Sequence, residues 1–345
     1  MERYLGMDVH AQSCTICVLS EAGKEIRREV VETNGQALVG FLKQQAGRLH
    51  LCVEEGEWSL WLHETLSPHV AEMVSVWPEA KQGAKSDGRD AQGLAERIRT
   101  GRLGRVAYKA PRQFAELREL ARAYTLLTRD VVRQKNRLKS LFRRRGIACP
   151  GEEIFQVEGR QRRLSELPKP MRRTVELLGA QLHRLEELKA EACEAMLAQS
   201  RHYPIAAILE TAPGMGPIRV AQMLPIVVTP HRFRTKRQFW AYCGFGIVTH
   251  SSSDWVRQEG GWVKAHVAMT RGLNHNHNHM LKAIFKGAAT TVISRARPNP
   301  LREAYDRLCA QGTKPNLAKL TIARRIAGTV LAMWKSQEVY DPKRA

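Results

Sequence analysis

Acidic residues interrupt the hydrophobic pattern of this chain at a few widely separated positions. They are Asp8, Glu54, Asp87 and Asp90. Asp8 stands inside one apolar strand pattern and Glu54 ends another. Asp87 and Asp90 are three residues apart at the start of a predicted helix, so both can lie on one helix face. Because an acid inside a hydrophobic strand is costly unless it is paired or binds a cation, we predict that these side chains converge on a metal ion.

The chemistry that such a site favours is cleavage of a phosphodiester. Mg²⁺ prefers carboxylate oxygens, and a bound cation can neutralise charge on the phosphorus and activate an oxygen nucleophile. The alternative for Asp87 and Asp90 is the ordinary preference of acids for a helix N-terminus. Glu55 and Glu57 are interpreted as solvated or supporting side chains, and Glu55 remains an alternative ligand to Glu54.

The elements that must position these acids alternate along residues 1–105. Apolar runs predict strands at residues 4–9, 14–19, 28–31, 49–54 and 74–77. Helical spacing predicts helices at residues 35–45, 60–71 and 90–99. The order β-β-β-α-β-α-β-α can form a three-stranded meander followed by crossover units. This is the pattern of a ribonuclease H-like fold, so the expected class is α/β followed by α.

A long basic helix begins after Pro111, in a region predicted to cover residues 106–200. Leu117, Tyr124, Val131 and Leu138 recur every seven residues, which is typical of a coiled-coil seam. A second amphipathic helix is predicted at residues 172–198, so the pair could form an antiparallel arm, a dimerising arm or part of a bundle. Candidate nucleic-acid contacts on the first helix are Arg129, Arg133, Lys135, Arg137, Lys139, Arg143, Arg144 and Arg145. They suit the backbone of duplex DNA and of a structured RNA equally.

The third region, residues 201–345, is predicted to be mostly helical. A turn with Gly214 and Gly216 precedes a helix, and its backbone N–H groups could hold a phosphate; a plain interhelical turn is the alternative. Three serines follow at positions 251–253. The alternating His275, His277 and His279 are expected within a helical pattern, as nucleic-acid contacts or a solvated face rather than a metal site, because residues two apart on a helix diverge.

The charge of the chain indicates a polyanionic partner. Fifty-five Lys and Arg against 34 Asp and Glu give a net charge of +21, and each neutralised phosphate releases a counterion. No apolar stretch approaches the roughly 20 residues that span a bilayer, and no signal pattern opens the chain. The seven scattered cysteines are typical of reduced, buried thiols. We therefore expect a cytoplasmic, nucleoid-associated protein with no membrane partner.

The motifs at the acids resemble one known family. Residues 6–10 read GMDVH, residues 53 and 54 read VE, and residues 85–91 read KSDGRDA. This combination is similar to the DEDD transposases of bacterial insertion sequences, which have a RuvC-like N-terminal domain and include RNA-guided bridge recombinases. The resemblance continues into residues 201–345, where the Gly214 turn looks like the family's helix-hairpin-helix-like segment and residues 239–254 look like its transposase domain.

The resemblance implies a mechanism and partners. Asp8, Glu54, Asp87 and Asp90 would bind Mg²⁺, and Ser252 would attack a DNA phosphate to give a phosphoserine, with Ser251 and Ser253 as alternatives. Expected partners are DNA (element ends and target), a structured guide RNA, and further copies of the chain in a dimer or tetramer with a composite site.

Two other functions remain open from the sequence. One is a metal-dependent junction nuclease without a serine step, and the other is a non-catalytic nucleic-acid-binding protein. An actin-like ATPase is disfavoured, because the Gly-rich phosphate loops that it needs after the first strand are missing.

Overall fold

The computed structural model describes residues 1–79, 86–109, 112–149, 151–250, 255–264, 269–294 and 299–342. Its contacts separate two compact units, Met1–Ala110 and Pro111–Ala345. Each unit is described by itself below.

The first unit is a five-stranded sheet with helices. Its elements are β1 (Glu2–Val9), β2 (Ser13–Ser20), β3 (Glu25–Glu32), α1 (Gly35–Lys43), β4 (Arg48–Glu54), α2 (Ser59–Leu66), β5 (Glu72–Val76) and α3 (Asp87–Arg99). The strand order is β3-β2-β1-β4-β5. The first three strands pair antiparallel, and β1, β4 and β5 pair parallel. The predicted order of a mixed α/β sheet is therefore confirmed, with strands that extend slightly beyond the predicted bounds.

Hydrophobic side chains cover both faces of this sheet, since alternate residues of a strand point to opposite sides. Leu5 and Met7 of β1 pack on one face, in a cluster with Leu38 and Phe41 of α1. The other face packs against α3, where Leu94 contacts Cys52 in a second cluster. Burial on two faces explains the apolar runs in β1, β2, β4 and β5, whereas the edge strand β3 is largely charged and has no buried residue.

The second unit is mostly helical, as expected, with two short β-ribbons. Its elements are α4 (Ala115–Arg143), α5 (Val157–Leu164), α6 (Lys169–Arg201), α7 (Ile205–Glu210), α8 (Pro217–Val227), α9 (Lys236–Tyr242), β6 (Ile247–His250), β7 (Trp255–Gln258), β8 (Gly261–Lys264), β9 (Met269–Leu273), α10 (His279–Ser294), α11 (Pro300–Ala310) and α12 (Pro315–Ser336). β6 pairs antiparallel with β9, and β7 pairs antiparallel with β8. The helix α12 contributes an almost continuous buried stripe to the core.

The long helices α4 and α6 pack against each other in antiparallel orientation within one chain. Arg145 near the end of α4 donates to the Met171 sulfur at the start of α6 at 3.1 Å. At the opposite end, the rings of Phe114 and Tyr203 lie 4.5 Å apart. Gln134 of α4 is buried and donates to the Leu178 carbonyl of α6 at 2.9 Å. The heptad pattern therefore forms an intrachain hairpin.

The histidine run lies in a different local structure from the one expected. The helical pattern predicted around it is wrong: β9 occupies Met269–Leu273, and α10 begins only at His279. The Asn274 side chain accepts from the Asn276 N–H at 2.9 Å, and that of Asn278 accepts from the Leu281 N–H at 3.0 Å. Asparagine stabilises such turns and helix starts, so the two asparagines separate the strand from the helix.

Most of the cysteines agree with the expectation of reduced, buried thiols. All seven cysteines are free, and five of them are buried. Across the described ranges of the chain, no helix combines the length and the apolar character that crossing a membrane requires.

Candidate functional site

The sheet register places Asp8 and Glu54 side by side. Met7 of β1 is the partner of Val53 in the parallel strand β4, and both side chains belong to the cluster on one face. Asp8 and Glu54 follow these residues, so both point to the opposite face, the one that carries α3. They are half-buried, with 17% of the Asp8 side chain exposed. Two carboxylates thus stand at the carboxyl ends of neighbouring parallel strands.

Helix α3 supplies the other two predicted acids from its first turn. Asp87 is the first residue of the helix, and Asp90 follows one turn later on the same face. The residue before the helix is Ser86, whose side chain makes no capping hydrogen bond. Ser86 therefore does not cap the helix through its side chain, and both acids lie in the first turn, where the positive end of the helix dipole also favours carboxylates.

A histidine joins Asp8 and Asp87 into one cluster. The His10 Nε2 atom lies 3.5 Å from a carboxylate oxygen of Asp8 and 3.5 Å from one of Asp87. The three candidate ligand atoms all lie within 4.8 Å of one another. Two carboxylate oxygens and an imidazole nitrogen at this spacing could hold one divalent cation.

The sequence prediction named Asp8 and Asp87 but missed His10. The available signal was its spacing, because His10 follows Asp8 by two residues and alternation along a strand would return both side chains to one face. The structure brings Asp8, His10 and Asp87 together, whereas Glu54 on the neighbouring strand and Asp90 in the first turn of α3 lie outside this group.

The neighbouring glutamate Glu55 belongs to a different cluster. The Lys109 ammonium donates to the Glu55 carboxylate at 2.5 Å and to the Ser59 hydroxyl at 2.6 Å. Only 9% of the Lys109 side chain and 23% of the Glu55 side chain are exposed. Glu55 therefore neutralises a buried lysine.

The basic residues of α4 differ in how strongly they are engaged within the chain. The arginine side chains predicted to bind nucleic acid are exposed, namely Arg129, Arg133, Arg137, Arg143, Arg144 and Arg145. Lys135 and Lys139 are half-buried and both stack on the Phe155 ring. Lys135 also pairs with Glu186 at 3.1 Å. A groove of about 440 Å³ is lined by Arg133, Asn136, Arg137, Ser140, Leu141, Arg144 and Leu178.

The glycine turn before α8 is packed tightly against α10. Gly214 has a φ of +73°, and a Cβ there would overlap the backbone of Ala288. The Arg219 guanidinium donates to the Gly214 carbonyl at 2.6 Å and to the Thr291 hydroxyl at 3.0 Å. Gly216 is the N-cap of α8. The turn thus has a packing role, and its phosphate role stays a prediction.

The predicted nucleophile Ser252 and its alternatives Ser251 and Ser253 lie outside the described residues. The strand β6 ends at His250 on one side of them, and β7 begins at Trp255 on the other.

A mixed α/β unit with a carboxylate cluster, followed by a basic helical unit, defines the class of protein to which the comparisons point. Residues 5–145 match a family model described as a transposase of the DEDD IS110 type. Residues 206–306 match a second model, described as the transposase IS116/IS110/IS902 family. The two models concern the same family and together cover more than half of the chain. The chain belongs to the IS110 family of insertion-sequence transposases.

Individual relatives agree with this assignment at low identity. A transposase for insertion sequence element IS1533 from Leptospira borgpetersenii is 27% identical over 153 residues, which are 42% of this chain and 44% of that protein. A putative transposase, y4pF/y4sB, from Sinorhizobium fredii is 23% identical over 303 residues, 85% of this chain and 73% of that protein. An uncharacterized 44.8 kDa protein of insertion element IS116 from Streptomyces clavuligerus is 26% identical over 137 residues, 40% of this chain and 31% of that protein. The matched segments thus span less than half of the first and third relatives.

Proposed function

We propose that this protein is a DNA transposase that cuts and rejoins DNA strands with a Mg²⁺-dependent carboxylate site and a serine nucleophile. The observation that carries the proposal is the convergence of Asp8, His10 and Asp87, whose ligand atoms lie within 4.8 Å of one another at the start of α3. Family membership supplies the substrate class, DNA.

The sheet topology supports a ribonuclease H-like fold for the first unit. Three antiparallel strands lead into two parallel crossovers, which gives the order β3-β2-β1-β4-β5. Asp8 at the end of the central strand and Glu54 on the neighbouring strand are then natural ligand positions. Glu54 is the better candidate than Glu55, because Glu55 already neutralises Lys109.

The proposed metal ligands are Asp8, Glu54, Asp87 and Asp90, with His10 beside them. When bound there, Mg²⁺ would supply Lewis-acid stabilisation of the phosphate undergoing substitution. The donors fit this role, since hard divalent cations prefer carboxylate oxygens. The imidazole of His10 also suits softer ions, so we expect His10→Ala to weaken binding of Mn²⁺ more than binding of Mg²⁺.

The role proposed for Ser252 is nucleophilic attack. Its hydroxyl loses a proton, the Oγ–P bond forms, and the P–O bond to the departing DNA strand breaks while that oxygen takes up a proton. One phosphoester replaces another, so the reverse attack by a new strand end rejoins DNA without an external energy source. Covalent catalysis by serine requires activation of a weak nucleophile. We propose that the metal cluster and the serine meet in a composite site formed by at least two copies of the chain.

The functional regions that we propose are the catalytic sheet at 1–105, the basic arm at 106–200 and the serine-bearing region at 201–345. The exposed arginines of α4 would bind a nucleic-acid backbone, and a structured guide RNA and DNA are both candidates. Sequencing the nucleic acid that co-purifies with the protein distinguishes them.

The experiment that tests the catalytic proposal is the trapping of a covalent protein–DNA adduct. DNA carrying the element ends is incubated with the protein and Mg²⁺, and the products are resolved under denaturing conditions. We expect an adduct with the native chain, none with Ser252→Ala, and an unchanged yield with Ser251→Ala and Ser253→Ala. Asp8→Asn should abolish the adduct while DNA binding persists.

Other results identify the rival functions. Metal-dependent cleavage without any adduct would indicate a junction nuclease. Binding with no cleavage by the native chain, unchanged in Asp8→Asn, would indicate a non-catalytic nucleic-acid-binding protein.

A further inference from the structure

The hairpin of β7 and β8 forms a separate two-stranded sheet whose two faces differ in chemistry. Its register pairs Arg257 with Trp262 and Val256 with Val263. Because side chains alternate along a strand, Trp255, Arg257 and Trp262 share one face, and the two valines share the other. Throughout β7 and at the described side chains of β8, every residue is exposed.

The exposed tryptophans are unusual for a surface ribbon. Trp255 is 58% exposed and Trp262 is 65% exposed. Large aromatic rings are ordinarily buried, and exposed ones accompany binding sites. A two-residue turn at Glu259 and Gly260 closes the ribbon, and Gly261, which pairs with Gln258, has a φ of +125°. A two-stranded ribbon is marginally stable by itself, so a bound partner would also order it.

We propose that this face binds unpaired bases of a DNA strand by stacking on Trp255 and Trp262, with Arg257 contacting the backbone phosphates. This inference rests on the proposed function for the identity of the nucleic acid. Aromatic platforms combined with positive charge are the general means of binding single strands. The net charge of +21 complements such a partner.

The spacing of the two rings suits a base. Trp255 and Trp262 are diagonal neighbours across the ribbon, because the partner of Trp262 is Arg257, two residues from Trp255. Diagonal positions on one face are about 7–8 Å apart, which is about twice the ~3.4 Å spacing of stacked bases. The separation of the two positions is therefore compatible with one base between the two side chains.

The chemistry favours a single strand over a duplex. A β-ribbon can enter a major groove, but base edges there are read mainly by side chains that form paired hydrogen bonds. An indole presents a flat apolar surface with one N–H donor, and the face of a base is most open to such a surface in a single strand, where no neighbouring pair has to be unstacked. Strand exchange creates unpaired DNA.

The position along the chain favours DNA over RNA. Trp255 follows the proposed nucleophile Ser252 by three residues. Three residues of extended chain span at most about 11 Å. A base held by the ribbon would thus lie close to the phosphate that the serine attacks, and that phosphate belongs to DNA.

The test measures the affinity of the full-length protein for a single-stranded DNA oligonucleotide of mixed sequence by fluorescence anisotropy. The Asp8→Asn background and the absence of divalent cations keep cleavage out of the measurement. We expect Trp262→Ala to weaken binding about tenfold or more. Trp262→Phe, which keeps a ring, should recover most of the affinity, and Val256→Thr on the opposite face should not change it. For an oligonucleotide with abasic sites, the protein that retains Trp262 and the Trp262→Ala variant should have equal affinity.

Three results would overturn the proposal. The first is an affinity of Trp262→Ala for the single strand within twofold of the parent. The others are an equal loss of affinity for duplex DNA, or a larger loss of affinity for RNA of the same sequence, on the same substitution. The adduct assay with Ser252 is run in parallel. Base stacking without any adduct would retain the ribbon's role and reject the proposed function. An adduct without base stacking would retain the proposed function and reject the ribbon's role.

Discussion

Gly6 of β1 lies so close to the carbonyl oxygen of Ala91 in α3 that a methyl group on Gly6 would overlap that oxygen. The backbone of the helix therefore rests almost directly on the strand. Asp8 follows Gly6 by two residues, and Asp87 precedes Ala91 by one helical turn. The close approach of strand and helix is what brings these two carboxylates into one cluster.

A substitution at Gly6 should separate the helix from the strand. We expect Gly6→Ala to lower the free energy of unfolding by about 1–3 kcal/mol, as overpacking commonly does, and to weaken binding of a divalent cation. Hydrogen exchange of the β1 amides and calorimetric titration with Mn²⁺ measure the two effects. The matched control is Gly93→Ala in α3, where an added Cβ contacts nothing within 4 Å. Alanine is the better helix former by roughly 1 kcal/mol, so Gly93→Ala should stabilise α3.

Asp8 and Asp87 of the cluster could be singled out from the sequence because each acid stands out against the hydrophobic pattern of its element, whereas the ligand roles of Glu54 and Asp90 stay predictions. Asp8 and Glu54 interrupt apolar strands, and Asp87 and Asp90 begin an amphipathic helix. His10 had only its spacing from Asp8 as a signal, and that spacing acquires a meaning once Asp87 at the start of α3 is placed beside it. The helical prediction for the histidine run is wrong because it follows the apolar spacing of residues 268–286. In the structure the local hydrogen bonds of Asn274 and Asn278 prevail over that spacing.

The β7–β8 ribbon was also missed, although residues 255–264 contain a signal. Alternating Trp and Val flank a turn with two glycines, which is the pattern of a hairpin. Each strand is only four residues long, and so short a period-two pattern is easily overlooked beside the serine run.

The ion pair between Lys109 and Glu55 should be strongly coupled because it is largely buried. Removal of one partner leaves the other charge without compensation, which costs about 3–5 kcal/mol in buried pairs. We expect Lys109→Met to destabilise the first unit severely, and the double variant Lys109→Met with Glu55→Gln to regain a substantial part. Chemical denaturation of the four proteins gives the coupling energy. Additive effects of the two changes would contradict the pairing.

The basic arm allows a prediction about salt dependence. Arg144 is exposed on the groove of α4, whereas Lys135 is half-buried and paired with Glu186 at 3.1 Å. Each phosphate contact contributes about 0.9 to the slope of log K against log salt for duplex DNA. We expect Arg144→Ala to reduce the magnitude of that slope by about 0.9, the value for one phosphate contact. Lys135→Ala should change the slope little. Binding titrations over a range of NaCl concentrations measure the slopes, and equal slopes for both variants would reject the assignment of the arm.

His277 should make the second unit less stable in acid. Its Nδ1–H donates to the Asn274 carbonyl at 2.7 Å, and its Nε2 atom is buried with no hydrogen-bond partner among the described residues. Burial lowers the pKa of His277 below its ordinary value; the hydrogen bond to the Asn274 carbonyl opposes this shift, and the charges of Lys282 and His279 add to it. Protonation of Nε2 would bury an N–H without an acceptor.

The sign of the pH effect follows from this lowered pKa. Below the ordinary histidine pKa of about 6.5, the imidazole of His277 is protonated in the unfolded chain but still neutral in the folded chain. Acidification therefore favours unfolding. The contribution of neutral His277 to the free energy of unfolding is fully present above a pH of about 6.5. It is lost as the pH falls toward the lowered pKa of the folded state. We expect the denaturation midpoint of the native chain to decrease when the pH is lowered from 7.5 to 5.5. The decrease should be smaller in His277→Gln. The control His275→Gln changes an exposed neighbour in the same loop and should follow the native chain. A pH dependence that is identical in His277→Gln and the native chain would show that this ring is not the group responsible.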